Sequence, residues 1–116
     1  MSSSPLSDQS IEFAINIINY HKWLSQEKKE YVLSKQILRS GTSIGANIHE
    51  ANFAVSKADF IAKMQIALKE VAETEYWLIV LEQTGFLSDN YLFLKSKCSA
   101  IKKMLISTLK TSKKSE

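Results

Sequence analysis

Apolar residues recur at steps of three and four from residue 11 to residue 109, and only three glycines and one proline interrupt 116 residues. A helix turns once every 3.6 residues, so such steps gather side chains on one face. Pro5 lies near the start, and glycines at 41, 45 and 85 are too few to punctuate a set of hairpins. The spacing predicts an all-α chain, and the length suits one domain with a real core.

Ser7 is placed to cap a first helix over about 7–24, with Ile11, Ile15 and Ile18 on its apolar face and Phe13, Ile17, Tyr20 and Leu24 beside them. Residues 1–6 are Ser-rich and predicted disordered. A second helix, about 27–54, follows Leu33, Ile37, Gly41, Ile44, Ile48, Ala51 and Val55. Ser56 and Asp59 have capping-box spacing and open a third helix, about 57–84, with Phe60, Met64, Ala67, Val71, Leu78 and Leu81 on one face and Gly85 at its C-terminus. Ser88 caps the fourth, about 89–110, with Leu87 and Leu92 spaced as a hydrophobic staple and Leu94, Cys98, Ile101, Leu105 and Leu109 facing inward. Residues 113–116 form a basic tail. Four amphipathic helices joined by short connections bury their stripes as an antiparallel up-down-up-down four-helix bundle over 7–112.

Gly41 and Gly45 sit in the stretch LRSGTSIGANIHEAN, residues 38–52. A phosphate loop needs four residues between its glycines and a following lysine, whereas here the gap is three and Ala46 follows. The spacing instead places both glycines one turn apart on a helix, where absent side chains let another backbone come close. Each costs about 1 kcal/mol of helix propensity relative to alanine, which close packing must offset. A break near Ser40–Ser43 is the alternative.

Chemistry-bearing patterns fail one by one. His49-Glu50 begins a zinc-helix motif, but Phe53 stands where its second histidine belongs. His21 and His49 are the only histidines, no Glu-x-x-His pair occurs, and no metal or cofactor is expected. The Arg-x-x-x-x-His signature of helical ribonucleases is missing, since Ile44 occupies the histidine position counted from Arg39. Cys98 falls on an apolar face, as a buried structural thiol does. No acid–base pair remains, and the chain is read as a non-enzyme. The single cysteine, the start MSSSPLSDQS without signal-peptide character, and WLIVL at 77–81 as the longest apolar run predict a cytoplasmic protein without a membrane span.

Two polar features remain. Gln36, Arg39, Ser43, Asn47 and Glu50 form a second stripe on helix two at steps of three and four. It reads either as a solvated face or as a network, since most of its members are short hydrogen-bonding types and Glu70 and Glu73 on helix three offer partners, within the bundle or across a subunit boundary. The second feature is charge asymmetry. Residues 1–94 carry 8 basic and 11 acidic groups, whereas 95–116 carry Lys95, Lys97, Lys102, Lys103, Lys110, Lys113 and Lys114 against Glu116 alone. Clustered lysines attract phosphate without sequence preference, or serve as a solubilising tail.

The runs QILRSGTSIGANIHEA and DFIAKMQIALKEVAETEYWLIVLEQTGFL closely resemble the four-helix bundle family founded on proteins encoded in intervening sequences of bacterial 23S rRNA genes. The resemblance covers roughly residues 10–110, and is most specific at Gln36, Arg39, Ser43-Ile44, Asn47-Ile48, Glu50 and the segment Ala67 to Glu70. Ala51 and Gly45 depart from the family pattern, which often has Gly at the first position and Pro or Ala at the second. The resemblance implies a left-handed antiparallel bundle assembled as a homopentameric ring around a channel, without enzyme activity. It also implies similarity to the accessory proteins of diversity-generating retroelements, whose basic barrels bind nucleic acid and a reverse transcriptase. Two functions are expected: from the charge clustering, an oligomeric bundle that binds RNA or DNA through the helix-four lysines, or a protein–protein scaffold using aromatic anchors among Trp23, Tyr31, Phe53, Trp77 and Phe86.

Overall fold

The computed structural model describes residues 4–114. It contains four helices, α1 (Pro5–Gln26), α2 (Leu33–Ala51), α3 (Lys57–Gln83) and α4 (Tyr91–Lys114), and no strand among the described residues. Contacts join α1 to α2, α2 to α3, α3 to α4 and α4 back to α1, while the diagonal pairs do not approach. The helices therefore occupy four corners around one core, most extensively packed between α2 and α3 and least between α1 and α4. The body measures 47 × 27 × 21 Å.

Helix α1 starts two residues earlier than its sequence suggests, and its cap lies three residues earlier. Ser4 is the cap: it is extended, and its Oγ accepts the Ser7 N–H at 3.0 Å. Pro5 fits the first helical position because that N–H has no helical partner to lose. Leu6, expected to lie in a disordered segment, is buried; residues 1–3 of that segment lie outside the described residues.

The apolar face of α1 also differs from expectation. Leu6, Ser10, Phe13, Ile17, Tyr20 and Leu24 face inward at alternating steps of four and three, whereas Ile11, Ile15 and Ile18 are 56%, 55% and 38% exposed. Both sets have helical spacing. The small Ser10 sits inward against Gly45, on the face that also buries Phe13, Ile17 and Leu24, and the isoleucines face out.

Helix α2 begins at Leu33, six residues after its expected start. Lys29 adopts a left-handed φ of 56°, which ends α1 and precludes a continuous helix through the charged stretch. The Glu30 carboxylate then accepts the N–H groups of Val32 at 3.3 Å and Ser34 at 2.8 Å, satisfying donors at the positive end of the helix. At its far end α2 stops at Ala51, and Val55, expected on its apolar face, is 93% exposed in the connection.

Helix α3 begins at the Ser56 cap, whose side chain accepts the Asp59 N–H at 3.0 Å. Asp59 reaches back past the cap to accept the N–H of Val55, one residue beyond a standard capping box. At its C-terminus Gly85, with φ +87°, permits the Phe86 N–H to reach the Leu81 carbonyl at 2.9 Å and the Gly85 N–H to reach that of Glu82 at 3.1 Å. These are the paired bonds of a Schellman stop.

Helix α4 starts at Tyr91, and the expected staple is absent: Leu87 and Leu92 are both exposed, and the Ser88 hydroxyl has no hydrogen-bond partner. It continues through Lys113 and Lys114, which were expected in a tail. No breaker interrupts the segment, and lysines favour the negative end of a helix. Residues 115 and 116 of that tail lie outside the described residues.

Candidate functional site

Two surfaces collect the polar residues that sequence singles out. The first lies between α2 and α3. Arg39 donates from both terminal nitrogens to Glu70, at 3.1 and 3.2 Å, and pairs with the Glu73 carboxylate as well. Glu73 also accepts from the Trp77 indole at 3.0 Å. Arg39 and Trp77 together hold the Glu73 carboxyl below the usual carboxylate range, and the two carboxylates push the Arg39 guanidinium further from deprotonation. Nearer the other end of the same seam, Lys63 donates to Glu50 at 3.1 Å.

Beneath the ion pairs sits a buried hydroxyl pair. Thr74 Oγ1 lies 2.9 Å from Ser40 Oγ and 2.8 Å from the Glu70 carbonyl. One hydroxyl carries one proton, so Thr74 donates to the carbonyl while the Ser40 hydroxyl supplies the second bond. This pair escaped sequence reasoning, although Ser40 falls among the inward steps of α2 and Thr74 among those of α3.

The rest of the predicted stripe is less connected. Ser43 donates to the Arg39 carbonyl at 2.6 Å and Asn47 to the Ser43 carbonyl at 2.9 Å, bonds that stay within α2. Gln36 is exposed. The stripe is therefore a two-ended α2–α3 seam at Arg39 and Glu50, with its middle bonded back to its own helix.

Gly41 and Gly45 face α1 on the other side of α2. A methyl group on Gly41 would stand 2.9 Å from two carbons of the buried Ile17, and one on Gly45 would stand 3.3 Å from the Ser10 carbonyl oxygen and hydroxyl. The helix runs unbroken through Ser40–Ser43. Gly45 helps floor an open groove of about 570 Å³ between α1 and α2, where Ile11, His49 and Phe53 line a largely apolar wall.

The second surface is α4, and its lysines divide into two groups. Lys95 pairs with Glu82 at 3.3 Å, Lys102 with Glu75 at 3.2 Å, and Lys97 with Glu12 at 3.8 Å while also lying over the Phe93 ring. Lys103, Lys110, Lys113 and Lys114 have no ion pair among the described residues. Glu12, Glu75 and Glu82 were missed in the sequence, because pairing across helices depends on a register that no local spacing encodes. The Tyr91 hydroxyl lies 2.9 Å from Glu82 and 2.7 Å from the Leu78 carbonyl and shares its one proton between them, and that contact and Lys95 lower the Glu82 carboxyl pKa.

The remaining groups offer little chemistry. Burial pushes the Cys98 thiol up to about 12, far from the thiolate a nucleophile needs. Among the described residues no set of three His, Cys, Asp or Glu side chains gathers as a metal would require, and no helix is long and apolar enough to cross a membrane. Of the candidate aromatic anchors, Trp23, Trp77 and Phe86 pack partly buried on the core, while Tyr31 and Phe53 are exposed.

Comparison with known proteins agrees with this architecture. The family described as 23S rRNA-intervening sequence protein matches residues 5–107. A crystal structure of a protein of unknown function from the S23 ribosomal protein family of Bacteroides thetaiotaomicron is 54% identical, with a TM-score of 0.88, over 90% of this chain and 95% of that one. No curated protein shows significant similarity to the chain. Neither description indicates an enzyme.

Proposed function

The chain belongs to the 23S rRNA-intervening sequence protein family, and from that premise we propose that it is a non-enzymatic, cytoplasmic four-helix bundle that assembles as a homopentameric ring and binds nucleic acid. The bundle is read as antiparallel up-down-up-down. Short connections and the pairing of Arg39 with Glu70 and of Glu50 with Lys63, in which one helix ascends as the other descends, support that topology.

The observation carrying the binding reading is the division among the α4 lysines. Lys103, Lys110, Lys113 and Lys114 are left without acidic partners in the described structure, so their positive charge is available to phosphate. Lys95, Lys97 and Lys102 are engaged by the bundle's own glutamates and contribute less. A ring of five multiplies the free cluster fivefold.

Fluorescence anisotropy with labelled RNA and DNA, over a salt series, tests this. Affinity is expected to fall with salt at a slope of about 0.9 per phosphate neutralised on duplex DNA. Replacing Lys103, Lys110, Lys113 and Lys114 by alanine should abolish most binding, whereas replacing Lys95, Lys97 and Lys102 should leave most of it. No affinity at low salt, or affinity independent of salt, overturns the reading. A second reading, a protein–protein scaffold, draws on the exposed Phe53 and Val55 at the α2–α3 turn. Co-purification of a protein partner such as a reverse transcriptase, lost in a Phe53→Ser variant, favours it.

A further inference from the structure

Helix α4 runs for 24 residues without an aspartate, glutamate, asparagine, glutamine, arginine or histidine. Solvated helix faces ordinarily mix acids with bases, which then pair one turn apart. On α4 the bases have no acid on their own helix, and the glutamates that reach in from α1 and α3 meet Lys95, Lys97 and Lys102. Past Lys102 the outward face holds Lys103, Ser107, Lys110 and Lys114, at steps of four, three and four and all exposed, with Lys113 exposed beside them. At about 1.5 Å per residue, Lys103 to Lys114 is a line about 16 Å long.

Nucleic acid is recognised by several kinds of group, of which this face offers one. Base edges are read chiefly by Arg, Asn, Gln, Asp and Glu, and α4 has none of them. Unpaired bases stack on exposed aromatic rings. The aromatics of α4 lie in its first turn, Tyr91 buried and Phe93 beneath the Lys97 ammonium, about 15 Å along the axis from Lys103. What remains at Lys103–Lys114 is ammonium and hydroxyl, both donors to phosphate oxygens.

We infer that this face is a site for inorganic polyphosphate, a linear anion that offers phosphates and neither base nor sugar. The site shares its lysines with the nucleic-acid reading above and does not depend on it. A bare phosphate chain supplies what each lysine takes, with no base or sugar left unrecognised. Chain length enters through the spacing. Lys103 and Lys110 stand about 10 Å apart along the axis, which is about the Debye length at 0.1 M salt, so a short anion held by one gains little from the other. A chain that spans the line engages every lysine, and each contact after the first is intramolecular.

The test is calorimetric titration of the full chain with long-chain polyphosphate, beside tripolyphosphate and polyglutamate. Four lysines that each neutralise one phosphate, at about 0.7 counterion apiece, predict that polyphosphate affinity falls about fifty-fold between about 50 and 200 mM salt. Tripolyphosphate, too short to reach from Lys103 to Lys114, should bind at least about a hundredfold more weakly. Replacing Lys103, Lys110, Lys113 and Lys114 by glutamine should abolish polyphosphate binding. Replacing Lys22, Lys28, Lys35 and Lys69 by glutamine makes the same change in net charge and should leave it. All eight side chains are exposed, so helicity by circular dichroism should stay unchanged in both variants. Equal loss in the two variants, or equal affinity for polyglutamate or tripolyphosphate, reduces the site to net positive charge and overturns the inference. Nucleic-acid binding without polyphosphate binding overturns it as well and leaves the nucleic-acid reading standing, whereas polyphosphate binding alone does the reverse.

Discussion

The α1–α2 edge and the α3–α4 edge hold neighbouring helices together by different means. Along the first, glycines bring backbones within reach of side chains one turn apart, and the polar contacts are short: Asn52 to the Ser7 hydroxyl at 3.2 Å, and His21 Nδ1 with the Ser34 carbonyl at 3.0 Å. Along the second, long side chains bridge the helices, through Lys95–Glu82, Lys102–Glu75 and the Tyr91 hydroxyl at 2.7 Å from the Leu78 carbonyl. One edge depends on shape and the other on reach. Shape tolerates almost no added volume, whereas a bridge of flexible exposed chains can be lost at little cost.

The sharpest way to break the first edge is Gly41→Val. Its Cβ would already lie 2.9 Å from Ile17, which is fully buried and cannot swing into solvent. Overpacking at such a site costs about 3 kcal/mol, and urea unfolding should show the midpoint fall accordingly. On the second edge the largest effect belongs to Tyr91→Phe, which removes the one hydroxyl proton shared by the Leu78 carbonyl and the Glu82 carboxylate. A loss of about 1.5 kcal/mol is expected, and an NMR titration should show the Glu82 carboxyl rising toward its ordinary pKa.

Arg39→Ala sharpens the contrast from the seam between the two edges. Its ion pairs are half-exposed on the arginine side, so the expected loss is about 0.5–1 kcal/mol and shrinks in high salt. The Glu73 carboxyl is lowered on folding, so its contribution is present above the ordinary carboxylate pKa of about 4.3 and disappears as pH falls through the lower folded value. The stability gap between wild type and Arg39→Ala should therefore close in acid. Smallest of all, Lys102→Ala breaks a single half-exposed pair and should change stability by less than about 0.5 kcal/mol. A loss from Lys102→Ala as large as that from Gly41→Val would erase the distinction between the edges.

Sequence makes the helices legible wherever one residue decides the local geometry. Ser56 and Gly85 mark the two ends of α3 within a residue, because a cap and a positive φ leave few alternatives. The inward face of α2 is legible for the same reason, since its apolar steps have no rival on that helix. On α1 two sets of residues compete at helical spacing, and the buried one is fixed by packing against other helices, as where Ser10 meets Gly45. The charged residues before α2 favour helix by composition, yet Lys29 turns left-handed and the Glu30 carboxylate accepts N–H groups at the start of α2, which propensity does not encode. Among site residues, Arg39 and its possible partners Glu70 and Glu73 could be named because so few acids face that stripe. The acids meeting the α4 lysines could not, for their proximity is a property of the assembled bundle.

The burial of Cys98 also gives the protein an internal clock. As the chain's one thiol, held 1% exposed with its ionisation suppressed, it can react with an alkylating reagent only when the bundle parts around α4. When closing outpaces modification, the labelling rate divided by that of an unfolded chain equals the open fraction at any instant. A reagent added to the unmodified protein thus times the breathing of its core, and every substitution above can be read on the same scale without adding a probe.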